Sequence, residues 1–221
     1  MSLDVKTELC IFDLDGTLID SLYDLADSMN YALEKNGFPV HDREKYRFMV
    51  GSGISVLADR AMAVPPGTSQ EKKDAVLADF GSYYRSHCLE LTKAYDGIPE
   101  LLKELDKKGI LSCVLSNKPD EFTKKIVRSL FPEHEFADVW GKRDEYPRKP
   151  DPTAVNALIR SLGCRNEECL YIGDSDIDML TAKNAGLRSV GVSWGFRPAS
   201  ELEAAGAGFI AGIPADILSQ L

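Results

Sequence analysis

The sequence predicts an α/β fold in which helices cover both faces of a doubly wound parallel sheet. Two observations predict the sheet. Short apolar runs end at turn residues, as is typical of strands that are buried on both faces. Segments with helical periodicity alternate with these runs over residues 94–221. A chain of 221 residues with 44% hydrophobic residues is long and apolar enough to bury such a core.

Four apolar runs rich in β-formers are the predicted strands, and a polar residue or glycine follows each of them. They comprise residues 8–12, 111–115, 169–172 and 189–192. Four other segments place their apolar residues on one face and are the predicted helices beside the sheet. They comprise residues 98–108, 122–130, 153–162 and 178–185. Gly109, Gly163 and Gly186 directly follow three of these segments and are typical helix stops.

Residues 20–90 interrupt the alternation of strands and helices, because no strand-like run occurs there. The loop 64–68, with two prolines and a glycine, separates two of the helical stretches in this region. The predicted helical stretches are a stripe of apolar residues from Leu22 to Leu33 and residues 42–62 and 69–91.

This interruption predicts two domains. We expect an α/β domain made of residues 1–18 and 92–221, with a helical domain of residues 19–91 inserted after the first strand. The alternative is one continuous α-rich domain, but the polar residues that follow the first strand need the later strands beside them.

The charge balance is acidic, with 26 lysines and arginines against 35 aspartates and glutamates, and a net charge of −9. Such a surface repels nucleic-acid phosphates and anionic lipid headgroups, so we expect neither as a partner. No run of about 18 apolar residues occurs that could cross a membrane. Residues 1–8 lack the features of a signal or transit peptide, and residues 1–3 resemble a cloning remnant. With an odd number of cysteines, five, these features predict a cytoplasmic protein.

Polar side chains follow three of the predicted strands and precede one predicted helix. They are Asp13 and Asp15 after the first strand, Ser116 and Asn117 after the second, Asp174 and Asp178 after the third, and Lys149 before the helix at 153–162. Ligands of open α/β sheets bind at the carboxyl ends of the strands. Each residue alone is more typical of a cap, a turn or a solvated surface. Their occurrence at four such positions in one chain favours a common site.

The residue types in this set indicate phosphoryl transfer. Asp13, Asp15 and Asp174 would repel one another unless a cation or a lysine neutralised them. Oxygen ligands favour Mg²⁺, which binds few carboxylates together with substrate phosphate oxygens. Gly16 permits a tight turn whose backbone N–H groups can bind an anion. Carboxylates, a metal ion and the ammonium group of Lys149 around an anion site are the groups that phosphoryl transfer requires.

Four motifs, in this order, resemble those of haloacid dehalogenase superfamily phosphatases with a helical cap inserted after the first strand. The motifs are DLDGTL from Asp13, SNK from Ser116, KPDP from Lys149 and GDSDID from Gly173. Four more stretches are similar to the phosphoglycolate phosphatase type within that subgroup. They are LIDS from Leu18, MVGSG from Met49, YDGIP from Tyr95 and DMLTAKNAG from Asp178. The resemblance covers essentially the whole chain and implies a Rossmann-like core, with residues 19–91 as the cap.

The resemblance also implies catalytic roles for four motif residues. Asp13 would be the nucleophile and form an aspartyl-phosphate, while Asp15 would act as general acid and then general base. Ser116 and Lys149 would bind the phosphoryl oxygens.

The resemblance further implies residues that bind a metal ion and the substrate. Mg²⁺ would be held by the carboxylates of Asp13 and Asp174 and by the backbone carbonyl of Asp15, while Asp178 would support the site without binding the ion directly. The implied substrate-binding residues are Gly16, Thr17 and Asn117 beside the phosphate, and Gly51 and Gly53 in a cap loop.

The implied activity is Mg²⁺-dependent hydrolysis of a small phosphorylated metabolite by a monomer or homodimer, with phosphoglycolate as the leading candidate. A sugar phosphate or pyrophosphate as substrate and a β-phosphoglucomutase-like phosphomutase remain alternatives, and so does an inactive scaffold. A dehalogenase is disfavoured because it needs neither Asp15 nor a metal ligand such as Asp174. A phosphonate hydrolase would need an imine-forming cap lysine, for which Lys35 and Lys45 are the candidates.

Overall fold

The computed structural model describes residues 6–63 and 69–221, so the predictions on residues 1–3 and on the loop 64–68 lie outside it. The described residues contain eight strands in two sheets. In chain order the strands are β1 (Leu9–Phe12), β2 (Ile19–Asp20), β3 (Lys93–Ala94), β4 (Leu111–Pro119), β5 (Asp138–Lys142), β6 (Cys169–Gly173), β7 (Arg188–Val192) and β8 (Phe209–Ala211).

Six of these strands form a parallel sheet in the order β5-β4-β1-β6-β7-β8. The chain first adds strands on one side of β1 and then returns to add the others on the opposite side. This is the doubly wound arrangement, and its direction reverses between β1 and β6. The predicted fold class is confirmed, and the crevice at this reversal is where the fold places ligands.

Helices cover both faces of the six-stranded sheet. In chain order the α-helices are α1 (Leu22–Lys35), α2 (Ile54–Ala61), α3 (Gln70–His87), α4 (Ile98–Lys108), α5 (Asp120–Leu130), α6 (Thr153–Ser161), α7 (Asp176–Ala185) and α8 (Ala199–Ala204). Cys10 and Phe12 of β1 pack into one core with α4 and α5. Leu9 and Ile11 face the opposite side and pack with α6 and α7. Within the described residues, no helix combines the length and the apolar character that crossing a membrane requires.

All four predicted strands are present, but two strands of the sheet were missed. β5, with the sequence DVWGK, and β8, with only three residues, are edge strands with weaker apolar patterns than the central ones. The predicted helices of the sheet domain are present within two residues of their expected ends. α4 and α7 end at Gly109 and Gly186, both of which adopt the left-handed conformation expected of helix stops.

The helices α1, α2 and α3 lie between β2 and β3, which pair antiparallel where the chain leaves the sheet region and returns to it. The prediction of a helical stretch at 42–62 is only partly right, because a short 3-10 helix, Arg43–Phe48, is separated from α2. Gly51 and Gly53 interrupt the predicted stretch, because their φ angles of 111° and 89° do not occur within a helix. The domain boundaries at residues 19 and 91 stay a prediction.

Candidate active site

The carboxyl ends of β1 and β6 bring two of the predicted aspartates together. Phe12 pairs with Ile172 in the parallel ladder, and the backbone N–H of Asp13 donates to the carbonyl of Ile172 at 2.9 Å. Asp13 directly follows β1, and Asp174 directly follows β6. The two side chains therefore enter the crevice at the point where the strand order reverses.

Asp13, Asp174 and Asp178 form a buried cluster in which one carboxylate oxygen of each lies within 4.8 Å of the others. Burial, together with the charges of Asp178 and Asp15, raises the pKa of Asp13 to about 7 against the lowering effect of Lys149. Burial, followed by the charges of Asp178 and Asp13, raises the pKa of Asp174 well above its usual range. These carboxylates are thus crowded and desolvated, and a nearby positive charge would favour their ionised form.

Lys149 supplies one such charge from the loop before α6. Its ammonium group is buried and lies 3.0 Å from Asp13 and 2.8 Å from Asp178, and it also donates to the carbonyl of Leu115 at 3.1 Å. Burial alone would lower the pKa of Lys149, but Asp13 and Asp178 raise it well above its usual range. The structure therefore places the ammonium group of a lysine directly beside Asp13.

Asp178 is fully buried and is held by several donors. Besides Lys149, it accepts hydrogen bonds from the hydroxyl of Ser175 at 2.6 Å and from the backbone N–H of Ser175 at 3.1 Å. These bonds form across the first turn of α7 and fix the loop that carries Asp174. This position is consistent with the supporting role predicted for Asp178.

Asp15 lies in the same cavity as Asp13 but has its own partners. Both of its carboxylate oxygens accept hydrogen bonds from the ammonium group of Lys118, at 2.8 and 2.9 Å, and one accepts from the hydroxyl of Ser21 at 2.5 Å. The Lys118 side chain is 2% exposed and also lies 4.9 Å from the ring centroid of Tyr84 in α3. Asp15 therefore belongs to an ion pair separate from the Asp13–Lys149 pair.

The turn after β1 places Gly16 and Thr17 against Asp174. Gly16 has a φ angle of 84°, and a Cβ atom there would lie 2.2 Å from a carboxylate oxygen of Asp174. The hydroxyl of Thr17 donates to Asp174 at 3.3 Å. Glycine is therefore required for two reasons, the left-handed backbone and the close approach of the carboxylate.

The remaining predicted residues lie around the mouth of the site. Ser116, Asn117, Gly51 and Gly53 line one cavity together with Asp13 and Asp15. The Asn117 amide donates to the carbonyl of Gly51 at 3.1 Å and to that of Lys149 at 3.2 Å. Asn117 thus joins the helical insert to the loop that carries Lys149, and the predicted site residues do converge in space.

The donor set is compatible with a hard divalent cation. Among the described residues, the cluster of Asp13, Asp174 and Asp178 offers only oxygen ligands, which is the chemistry that Mg²⁺ prefers. Asp174 is 2% exposed, and its hydrogen bonds within the described part of the chain come from Thr17 and the backbone N–H of Phe196, both uncharged donors. A buried carboxylate with neutral donors alone fits a metal ligand better than a structural ion pair.

Sequence reasoning missed Lys118, which lines the site, and Arg197, which bonds to the loop that forms one of its walls. Lys118 is part of the SNK motif, and the need of Asp15 for a counter-charge could have identified it. Arg197 lies beyond β7 in a stretch without a strong motif, and its contacts with residues 47–50 depend on the tertiary fold. The lysines considered for imine chemistry, Lys35 and Lys45, are exposed, and Lys35 pairs with Asp79 at 2.6 Å.

Comparisons with known proteins agree with this architecture. The profile of the haloacid dehalogenase-like hydrolase family matches residues 10–192. The phosphoglycolate phosphatase of Vibrio parahaemolyticus is 34% identical over 223 residues, which cover 99% of this chain and 95% of that protein. A solved structure from Lactobacillus delbrueckii subsp. bulgaricus, provisionally assigned as a phosphoglycolate phosphatase, has a TM-score of 0.90 and 32% identity and covers 97% of this chain and 98% of that one. The chain therefore belongs to the haloacid dehalogenase-like hydrolase family.

Proposed function

We propose that this protein is a Mg²⁺-dependent phosphatase that hydrolyses a small phosphorylated metabolite, with phosphoglycolate as the leading candidate. The observation that carries the proposal is the buried Asp13 carboxylate, held 3.0 Å from the ammonium group of Lys149 at the carboxyl end of β1. A carboxylate in this position can attack phosphorus, while the lysine stabilises the charge on the phosphoryl oxygens. Ser116 and the backbone N–H groups near Gly16 and Asn117 complete the anion site.

In this proposal Asp13 and Asp15 divide the chemistry. Asp13 attacks phosphorus and forms an aspartyl-phosphate, and the bond between phosphorus and the ester oxygen breaks. Asp15, in its protonated form, gives its proton to that leaving oxygen and later takes a proton from the water that attacks the aspartyl-phosphate, which restores the protonated form for the next turnover. Support comes from their shared cavity, which both carboxylates line.

A divalent ion would be held by the carboxylates of Asp13 and Asp174 and by the backbone carbonyl of Asp15, with Asp178 supporting the loop. When bound, it would neutralise negative charge on the carboxylates and on the phosphoryl group. The crowded oxygens of the Asp13–Asp174–Asp178 cluster support this assignment.

The lining of the cavity supports a small leaving group. Apolar side chains of the helical insert, Leu25, Val50, Ile54 and Leu57, line it opposite the catalytic residues. We propose that residues 19–91 act as a cap that excludes water and selects the alcohol. Relatives named phosphoglycolate phosphatase, such as that of Vibrio parahaemolyticus, make phosphoglycolate the first substrate to test. We further propose that the enzyme works in the cytoplasm, as a monomer or homodimer.

The test is the release of inorganic phosphate from phosphoglycolate, sugar phosphates and pyrophosphate with and without Mg²⁺. Asp13→Asn should reduce phosphate release at least about a thousandfold, because an amide cannot act as the nucleophile. Asp176→Asn is the matched control, since this partly exposed aspartate of the GDSDID motif makes no hydrogen bond or ion pair among the described residues. Activity that persists in Asp13→Asn would refute the nucleophile assignment, and isomerisation of a sugar phosphate without net phosphate release would favour the phosphomutase alternative.

A further inference from the structure

Arg197, in the loop after β7, connects the sheet domain to the loop between the 3-10 helix Arg43–Phe48 and α2. Its guanidinium group donates to three backbone carbonyls in succession, those of Arg47, Phe48 at 3.2 Å and Val50 at 3.1 Å. We name the segment 47–53, which includes these carbonyls, the cap loop. A planar guanidinium with five donors can bind several carbonyls at once, which an ammonium group cannot do in the same way.

The surroundings of Arg197 hold its guanidinium group in this position. Its side chain is only 9% exposed, and its Nε atom lies 3.2 Å from Glu201 in α8. The ring of Phe48 lies against the guanidinium group, with 5.4 Å between the ring centroid and Cζ. If the cap loop moved away, a largely buried cation would lose most of its hydrogen-bond partners, which opposes such a movement.

The residues directly before Arg197 contact the candidate metal site. The backbone N–H of Phe196 donates to Asp174 at 2.8 Å, and the indole N–H of Trp194 donates to the carbonyl of Thr17 at 3.0 Å. A Cβ atom at Gly195 would lie 2.3 Å from the Cβ of Asp174 and 2.4 Å from the carbonyl oxygen of Gly16. The segment 194–197 is therefore packed on the catalytic crevice at one end and bonded to the cap loop at the other.

The cap loop itself forms a wall of the candidate substrate cavity. Val50, Gly51 and Gly53 line this cavity together with Asp13 and Asp15. We propose that Arg197 is a positioning residue for substrate binding, which holds the cap loop over the crevice. Arg197 itself lies in the segment 194–197, whose Phe196 also orients Asp174. Arg197 does not line the cavity, so it acts through the cap loop rather than by touching the substrate.

Two other side chains of the sheet domain reach the same loop, which limits the expected effect of losing Arg197. Asn117 donates to the carbonyl of Gly51 at 3.1 Å, and Arg148 donates to the carbonyl of Ser52 at 3.2 Å and the hydroxyl of Ser55 at 2.9 Å. Arg148 is exposed, whereas Arg197 is buried and has three acceptors. We therefore expect Arg197 to contribute most to closure, with partial closure remaining in its absence.

The inference rests on the proposed function for its kinetic consequence. With the cap loop less firmly held, the closed cavity is populated less often and substrate binding weakens in proportion. Arg197→Gln should raise KM for the best substrate about tenfold and change kcat less than about threefold. Arg197→Lys, which keeps the charge and the contact with Glu201 but not the planar fork, should lie between the wild type and Arg197→Gln.

A second readout, hydrogen–deuterium exchange, tests positioning without any substrate. The backbone N–H groups of Met49 and Val50 both donate to the carbonyl of Tyr46, at 2.9 and 3.0 Å, so their exchange rates report on the order of the cap loop. Arg197→Gln should speed their exchange about tenfold, with the fold verified by circular dichroism.

Arg60→Gln and Glu201→Gln are the matched controls. Arg60 donates to the carbonyl of Met49 at 2.8 Å from within the helical insert, so its loss cannot separate the loop from the sheet domain. Glu201→Gln removes the ion pair of Arg197 and leaves the three carbonyl contacts in place. Both controls should change KM and loop exchange clearly less than Arg197→Gln does.

The inference is overturned if Arg197→Gln alters KM and the exchange of Met49 and Val50 no more than Arg60→Gln does. It is also overturned if Arg197→Gln weakens Mg²⁺ binding, measured with the metal alone, while loop exchange stays unchanged, because Arg197 would then act on Asp174 only. If the wild type hydrolyses no phosphate ester, the proposed function fails, and the exchange comparison still decides whether Arg197 positions the loop.

Discussion

Asp15 owes its orientation to two side chains from different parts of the chain. Lys118, at the end of β4, binds both of its carboxylate oxygens, and Ser21, just before α1, binds one of them. Under the proposed mechanism, Asp15 must exchange a proton with the leaving oxygen and then with water. A carboxylate fixed from two sides is pre-oriented for this transfer. Among the described residues, Lys118 forms no hydrogen bond with Asp13 or Lys149, so it acts on Asp15 alone.

Lys118→Met should therefore lower kcat at least about tenfold, because Asp15 loses the partner that fixes both of its oxygens. The substitution should also reduce the free energy of unfolding by about 3 kcal/mol, since it leaves a nearly buried carboxylate without its counter-charge. Steady-state kinetics and urea unfolding measure the two effects. Lys124→Met is the control, because Lys124 forms a partly exposed ion pair with Asp120 within α5. A wild-type kcat in Lys118→Met would contradict the positioning of Asp15 by this lysine.

At the scale of elements, one buried aspartate of α1 connects the helical insert to the segment that leads back into the sheet domain. Asp24 is 3% exposed and accepts hydrogen bonds from the backbone N–H groups of Leu91 at 3.0 Å and Thr92 at 2.8 Å. The hydroxyl of Thr92 donates to it as well, at 2.6 Å. The carboxylate thus satisfies two backbone donors in a stretch where the chain passes from α3 to β3 without regular structure.

Asp24→Asn should reduce the free energy of unfolding by about 1–3 kcal/mol, because the amide keeps one acceptor oxygen and turns an NH₂ group toward N–H donors. Asp27→Asn in the same helix is the matched control. Asp27 pairs with Arg43 at 2.6 Å on the surface, and its loss should cost less than about 1 kcal/mol. Urea unfolding of both variants decides the prediction, and equal destabilisation would show that the Asp24 contacts add nothing beyond a surface pair.

At the scale of the whole molecule, the sequence was most informative where topology makes distant residues converge. The carboxyl ends of parallel strands meet at one edge, so Asp13, Ser116 and Asp174 could be placed together from their positions after apolar runs. Edge strands such as β5 and β8 carry too little apolar pattern to be found in this way. The interruption of the stretch 42–62 was missed because its cause, two left-handed glycines, acts through backbone conformation rather than periodicity.

The contacts that the sequence could not predict are those between the helical insert and the sheet domain. Arg197 and the carbonyls of residues 47–50 are about 150 positions apart in the chain. Every residue has a backbone carbonyl, so the sequence does not indicate which carbonyls accept hydrogen bonds from a side chain. The Lys118–Asp15 pair was likewise hidden, because a lysine in a motif does not reveal which of several nearby aspartates it binds. Such contacts join distant parts of the chain around the site, and only the folded structure reveals them.

A bound metal ion should stabilise the whole fold. Asp13 and Asp174, the carboxylates proposed to hold the ion, come together only in the folded chain, so an ion bound there stabilises the folded state over the unfolded one. Burial and mutual repulsion raise the pKa of Asp13 to about 7 and that of Asp174 well above its usual range. The positive charge of such an ion would offset the cost of keeping both carboxylates ionised. At a Mg²⁺ concentration of about 100 times Kd, the gain of about 2.7 kcal/mol corresponds to a rise in Tm of about 5–10 °C.

Asp174→Asn should abolish most of this rise, although the variant without Mg²⁺ should be at least as stable as the wild type because one of the repelling charges is gone. Thermal unfolding with and without Mg²⁺, at constant ionic strength, measures both effects. Asp176→Asn should keep the full rise, since this residue lies in the same motif but outside the cluster. If Asp174→Asn and the wild type gained equally from Mg²⁺, the ion would bind elsewhere, and the acidic crevice would have to be neutralised by Lys149 alone.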